Sequence, residues 1–192
     1  MASTAPRGAA FEQDPGKAPR RHVVTDVVTQ PIHTISLLVR NKPGVLVRIA
    51  LVFARRGYNI ESLVVSTDVA NGDFSRMTIT CSGDPETLEQ IIKQVTKLID
   101  VVHAFDHTGQ AVIESELALV KIKIGLKDRT GILQIAENFK AKVVDFGAES
   151  MILRCAGETD KLDAFISLLK PFGIIELVRS GKILMVRGLD ET

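Results

Sequence analysis

Between residues 32 and 108 the apolar spacing switches between a period of two and a period near 3.6 in one fixed order, and that order leaves few folds open. Alternation over 32–40 predicts a strand with Ile35, Leu37 and Val39 on one face and Ser36, Leu38 and Arg40 on the other. Val45, Ile49, Val52 and Phe53 make the apolar stripe of a helix over 45–56, leaving Arg48, Arg55 and Arg56 to solvent or a partner. Strands over 61–67 and 74–81 flank a turn at Asn71, Gly72 and Asp73. Asp84 and Pro85 then start a second helix: a capping acceptor, followed by a residue whose missing N–H is harmless at the first helical position. Leu88, Ile91, Ile92, Val95, Leu98 and Ile99 form its apolar face, and a strand over 101–108 closes the unit. The order β-α-β-β-α-β is the ferredoxin-like arrangement, with two helices over one face of an antiparallel sheet. The other sheet face needs a partner or polar cover.

After a loop over 109–115 the order recurs in weaker form. A strand over 117–125 leads to a helix over 132–140, whose Ile135, Ala136 and Phe139 echo Ile49, Ala50 and Phe53 with one residue deleted. Strands over 143–146 and 151–155, a helix over 160–169 and closing strand segments over 174–187 around Ser180 and Gly181 complete it. The expected fold class is α+β: two tandem ferredoxin-like units over 32–110 and 114–188, after a tail over 1–31 expected to be flexible. In this register Asp128 matches Asn41 and Asp145 matches Asn59. Two carboxylates in place of two amides repel an anion, so only the first unit is expected to bind one.

Composition narrows the function. Apolar residues are 45% and charged residues 24% of 192, the balance of a globular protein. The 24 basic and 23 acidic residues give a net charge of +1, which offers no electrostatic footprint for nucleic acid or an anionic membrane. One Tyr and no Trp argue against a base-stacking sheet. Cys81 and Cys155 sit in apolar runs and read as small buried hydrophobes of a reducing, cytoplasmic compartment. His22, His33, His103 and His107 are scattered, and no Cys/His cluster has metal-ligand spacing. Residues 1–30 lack the apolar middle of a secretory signal, and no run is long enough to span a bilayer.

The informative stretch is NKPGVLVRIALVFARRGYNI, residues 41–60. A strand, a turn on Pro43 and Gly44 and a helix start present backbone N–H groups that have no partner within the helix, at the positive end of its dipole. Gly44 leaves no side chain between those donors and a carboxylate. Asn41, Pro43 and Gly44 equally suit a plain turn. What favours a site is Asn59 beyond the helix: in a βαβ unit the second strand is expected to return Asn59 and Ile60 to the edge region of the turn. A primary amide there donates and accepts at once, as an α-amino acid requires.

Several segments in order, RNKPGVL, FARRGYNIESL, SRMTI, LVKI, KLDAF and VRSG, resemble the regulatory (small) subunit of acetolactate synthase, also called acetohydroxyacid synthase, over residues 32–188. The resemblance implies that the first unit is an ACT domain, and that two copies join their sheets side by side with valine in the interface. It places Asn41, Gly44, Val45 and Leu46 around the effector, with Asn59 and Ile60 contributed by a second copy. It further implies a homodimer that binds and activates a separate large subunit. That subunit carries thiamine diphosphate, Mg²⁺ and FAD and condenses pyruvate with pyruvate or 2-oxobutyrate. No catalytic, cofactor or metal residue is expected in this chain.

Two other classes compete. A free-standing ACT-domain sensor of another enzyme or a transcription factor leaves KLDAF and VRSG unexplained, and a small enzyme on this fold lacks a nucleophile–base constellation. Asp100, Asp106 and His107 are expected to be solvated near a strand end rather than a catalytic set. Arg55–Arg56 and Ser75–Arg76 are candidate docking patches with no local signal to decide them.

Overall fold

β-branched side chains crowd a helix but fit a pleated surface, and the run IHTISLLVR forms strand β1, Ile32–Arg40. The computed structural model describes residues 31–69, 71–125, 127–189 and 192, so the tail expected over 1–31 lies, Pro31 apart, outside the described residues. β1 is central in a four-stranded antiparallel sheet of order β2-β3-β1-β4, with β2 Asn59–Thr67, β3 Phe74–Ser82 and β4 Val101–Asp106. Its register runs from Ile32↔Ser82 to Arg40↔Phe74.

Helices α1, Val45–Arg55, and α2, Pro85–Val95, cover one face. Between helices and sheet lie Ile35, Leu37, Val39, Met77, Ile79 and Cys81 against Val45, Ile49, Phe53, Leu88, Ile91 and Val95. Phe53 is 1% exposed, so truncation to alanine would leave a cavity costing about 3–5 kcal/mol. Asp84 caps α2 as expected, its carboxylate accepting from the Thr87 N–H at 2.9 Å. The periodic face ends sooner than expected. α2 stops at Val95, turns link Leu98 N–H to Val95 O and Val101 N–H to Leu98 O, and Ile99 is turned out at 92% exposure.

The second unit repeats the plan with a sheet of order β6-β7-β5-β8. Its elements are β5 Val112–Lys123, α3 Arg129–Asn138, β6 Lys142–Phe146, β7 Ser150–Gly157, α4 Thr159–Leu169 and β8 Ile174–Arg179, followed by β9, Ile183–Val186. A separate core joins Val120, Ile122, Met151, Leu153 and Cys155 to Ile132, Leu162, Phe165 and Leu169. Most ends in this unit lie within two residues of expectation, and two starts differ by three or more. Residues 112–115, expected as loop, belong to β5 because they pair with β9, Val112↔Val186 through Ser115↔Ile183. α3 begins at Arg129 rather than 132 and has Gly131 inside it. Proline at 43 disfavours helical backbone at Lys42; with Thr130 in the matching place, the second helix can begin a turn earlier.

The β5–β9 ribbon answers the open face of the first sheet. Ile113, Ser115, Ile183, Leu184 and Met185 line a cavity of about 440 Å³ opposite Val64, Ser66, Arg76 and Thr78. The cover is therefore partly intramolecular.

Candidate functional site

The turn after β1 is tied by three hydrogen bonds, one to Asp100 and two to the β2–β3 hairpin. Arg40 N–H donates to Asp100 O at 2.8 Å, Asn41 N–H to Asp73 O at 2.7 Å and the Asn41 amide to Gly72 O at 3.2 Å. Asn41 thus holds the β2–β3 hairpin against the turn. Gly44 is the N-cap of α1 with φ 82°, and no side chain caps this helix start. Among the described residues the Gly44, Leu46 and Val47 N–H groups donate to no other group, and all three residues are exposed. Val45, 3% exposed, anchors the turn in the core, and Leu46 beside it is 39% exposed. The result is a fixed patch of free amide donors with an apolar rim, which suits a carboxylate on a small aliphatic body.

One residue that sequence reasoning left to solvent or a partner belongs here. The Arg48 guanidinium forms an ion pair with Asp100, which is 9% exposed, and its Nη1 lies 3.4 Å from where a Cβ on Gly44 would sit. The signal was available: Arg48 is one turn after Gly44, on the face that i, i+4 spacing sets above it.

Asn59 and Ile60 do not meet this turn within one chain, which corrects the expectation from the βαβ unit. β3 lies between β1 and β2, and Asn59 pairs with Ser82, which pairs with Ile32. The crossover returns the chain to the end where β1 started, whereas the turn is at the other end, roughly 26 Å away along eight strand residues. Asn59 is exposed, with its amide donating to Glu61 Oε1 at 3.1 Å, and Ile60 is half-buried against the core.

The second unit differs more than the sequence register suggested. β2 bulges between Ile60 and Ser62, and β6 between Val143 and Asp145. Superposing the bulges matches Asn59 to Lys142, not Asp145. Buried Ile132 and Ala136 correspond to Val45 and Ile49, which corrects the echo assigned to Ile135, Ala136 and Phe139. Asp128 remains opposite Asn41 in that register but is the N-cap of α3, and the Arg129 guanidinium beside it donates to Ala148 O at 2.9 Å and lies 5.3 Å from the centre of the Phe146 ring. Gly131 lies within the helix, so the second unit lacks an open glycine turn at this point.

Asp100 and His107 are not the solvated groups expected. His107 is 6% exposed and pairs with Ser36 Oγ at 2.7 Å and Gln110 Oε1 at 3.1 Å. This Ser–His contact is no nucleophile. Ser36 is buried mid-strand with β3 and β4 on either side, leaving no free backbone donors for an oxyanion, and a neutral amide backs the imidazole. Burial raises the Cys81 thiol to about 11, with Asp106 and Glu61 adding to it. Among the described residues no group of three or more His, Cys, Asp or Glu can hold a metal, and no helix is long and apolar enough to cross a membrane.

Two ferredoxin-like units in tandem, the first with a glycine-opened helix start, make this an ACT-type protein, and residues 35–103 match the profile described as AHAS small subunit-like ACT domain. Residues 115–188 match the profile described as small subunit of acetolactate synthase. A probable acetolactate synthase small subunit of Archaeoglobus fulgidus is 46% identical over 81% of this chain and 97% of that protein. The acetolactate synthase small subunit of Mycolicibacterium smegmatis is 42% identical over 82% of this chain and 92% of its own. The crystal structure of the Thermotoga maritima acetolactate synthase small subunit superposes with a TM-score of 0.75 at 37% identity, covering 83% of this chain and 99% of that one. The chain belongs to the acetolactate synthase small-subunit family.

Proposed function

We propose that this chain is the regulatory subunit of an acetolactate synthase, that it binds and activates the thiamine-diphosphate-, Mg²⁺- and FAD-dependent large subunit in the cytoplasm, and that it brings feedback inhibition by valine. The large subunit then carries the chemistry, two pyruvates to 2-acetolactate and CO₂, and this chain contributes none of it. The observation that carries the effector reading is the set of free Gly44, Leu46 and Val47 N–H groups at a turn opened by φ 82°.

The seat is half a site in one copy. Among the described residues β2, nine residues long, is an edge strand that pairs with β3 on one side only, and its Val65 is 45% exposed. Such an edge favours pairing with another strand. Antiparallel β2–β2 pairing about a two-fold axis sets Asn59 of one copy at the Thr67 end of the other, the end where Arg40 and Asn41 lie. The homodimer then completes the seat: amide donors, with Arg48 nearby, hold the effector carboxylate, Asn59 and Ile60 of the second copy close over it, and Leu46 borders the aliphatic side chain. A ligand held by both copies binds only the paired arrangement, so its binding energy shifts every equilibrium linked to that arrangement, including contact with the large subunit.

Titration calorimetry of the full chain with valine tests the site, and inhibition of the reconstituted synthase tests the consequence. Valine should bind once per seat and lower the activity of the complex but not of the large subunit alone. Absence of valine binding at millimolar concentration would overturn the effector reading, and failure to raise large-subunit activity would overturn the regulatory one.

A further inference from the structure

The motif VRSG, which the effector seat leaves unused, forms a joint between the units. On the second unit's side it is held fast. Ser180 N–H donates to Leu117 O at 2.9 Å, and Ser180 Oγ accepts from Leu117 N–H at 3.0 Å. The Arg179 guanidinium donates to Asp163 Oδ1 at 2.6 Å and to the buried Glu116 carboxylate.

At the tip is Gly181, with φ 81°. A Cβ there would lie 3.0 Å from Ser62 Cβ, 3.1 Å from Ser62 Oγ and 3.2 Å from Val64 Cγ2. The second unit therefore sets bare backbone against β2. The point of contact follows directly on the β2 bulge, three residues from Asn59 and about 10 Å along the strand.

We propose that the Ser180–Gly181 turn is the contact through which the effector state of β2 is passed to the second unit, with Gly181 a positioning residue for feedback and not for effector binding. The inference rests on the reading that Asn59 and Ile60 of β2 hold the effector. Strand and turn meet with no side chain between them on the Gly181 side to take up a displacement, so a shift of β2 as its edge closes on a ligand is carried into the Leu117–Ser180 bonds. Coupling is a free energy between sites, and it is lost when the joint is propped apart even though each site stays intact.

The full chain, assembled with its catalytic subunit, gives two readouts: valine affinity by calorimetry and the extent of valine inhibition. Gly181→Ala should keep valine affinity within about two-fold while maximal inhibition falls by more than about half, a loss of coupling without loss of binding. Gly173→Ala controls for backbone strain, because Gly173 has φ 86° but nothing within 4 Å of an added Cβ. That variant should be inhibited as the unmodified protein is. Ser62→Gly added to Gly181→Ala should restore inhibition by making room. Full inhibition of Gly181→Ala, equal loss in Gly173→Ala, or no rescue by Ser62→Gly overturns the joint. An unmodified chain that binds no valine removes the effector reading instead, and this inference falls with it.

Discussion

The Arg48 guanidinium reaches in two directions: it pairs with the Asp100 carboxylate, and its other terminal nitrogen lies 3.4 Å from where a side chain on Gly44 would begin. The Asp100 backbone carbonyl accepts from Arg40 N–H, so one buried residue fixes the end of β1 through its main chain and the cation beside the free amides through its side chain.

Arg48→Ala should weaken valine binding about three- to ten-fold, because a partly exposed charge contributes of order 1 kcal/mol to a nearby carboxylate. The same change should cost about 1–2 kcal/mol of stability. That figure is discounted from the buried-pair value, since the Arg48 side chain is 46% exposed. Calorimetry and a urea melt on one preparation separate the two effects.

Asn59→Ala should lower valine affinity about 10- to 100-fold, the loss of a hydrogen bond of about 1.5–3 kcal/mol to a charged group. Stability should change by less than about 0.5 kcal/mol, because Asn59 is exposed and its amide donates only to Glu61. Activation of the large subunit should largely survive. Unaltered valine binding would show that the amide is not part of the seat.

Gly83 lies under the ring of Tyr58, whose hydroxyl donates to Asp84 O, and a Cβ on Gly83 would overlap that ring. Gly83→Ala must displace the ring and break the bond, at about 1–3 kcal/mol. A thermal melt should fall by roughly 2–12 °C. An unchanged midpoint would mean the ring has another place to go.

Cys81 and Cys155 are 0% and 1% exposed, so alkylating reagents should modify neither until the chain unfolds. With its thiol at about 11, only about one Cys81 in a thousand is ionised at pH 8. The folded state keeps the proton that the unfolded chain releases near 9, so the unfolded state binds fewer protons above that pH. The contribution of Cys81 is complete below pH 9 and is lost as pH rises toward 11. Urea midpoints that are flat across this window, or that do not differ there from those of Cys81→Ala, would contradict the assignment.

Much of the fold was legible locally. The Asp84–Pro85 start, the stripe of α1 and the alternation of β1 depend on neighbours a few residues away, and they are found where spacing predicts them. Ile99 was misread because helical period carries no information about where the chain turns, and that turn is made by backbone bonds at Leu98 and Val101. Residues 112–115 were misread because their strand partner is about seventy residues away in β9. Of the site, Gly44 was visible as a turn glycine, whereas the Arg48–Asp100 pair joins residues 52 positions apart.

By itself the sequence determined the order of elements, the doubled unit and the unobstructed helix start at Gly44, since each follows from local sterics, capping and hydrophobic period. Only tertiary structure decided that Asn59 begins at the far end of the sheet from Asn41, that β2 is an edge, and that Gly181 abuts Ser62. Strand order and register are set by which buried faces pack together across the whole chain, and a one-residue change of register reverses which face a side chain occupies.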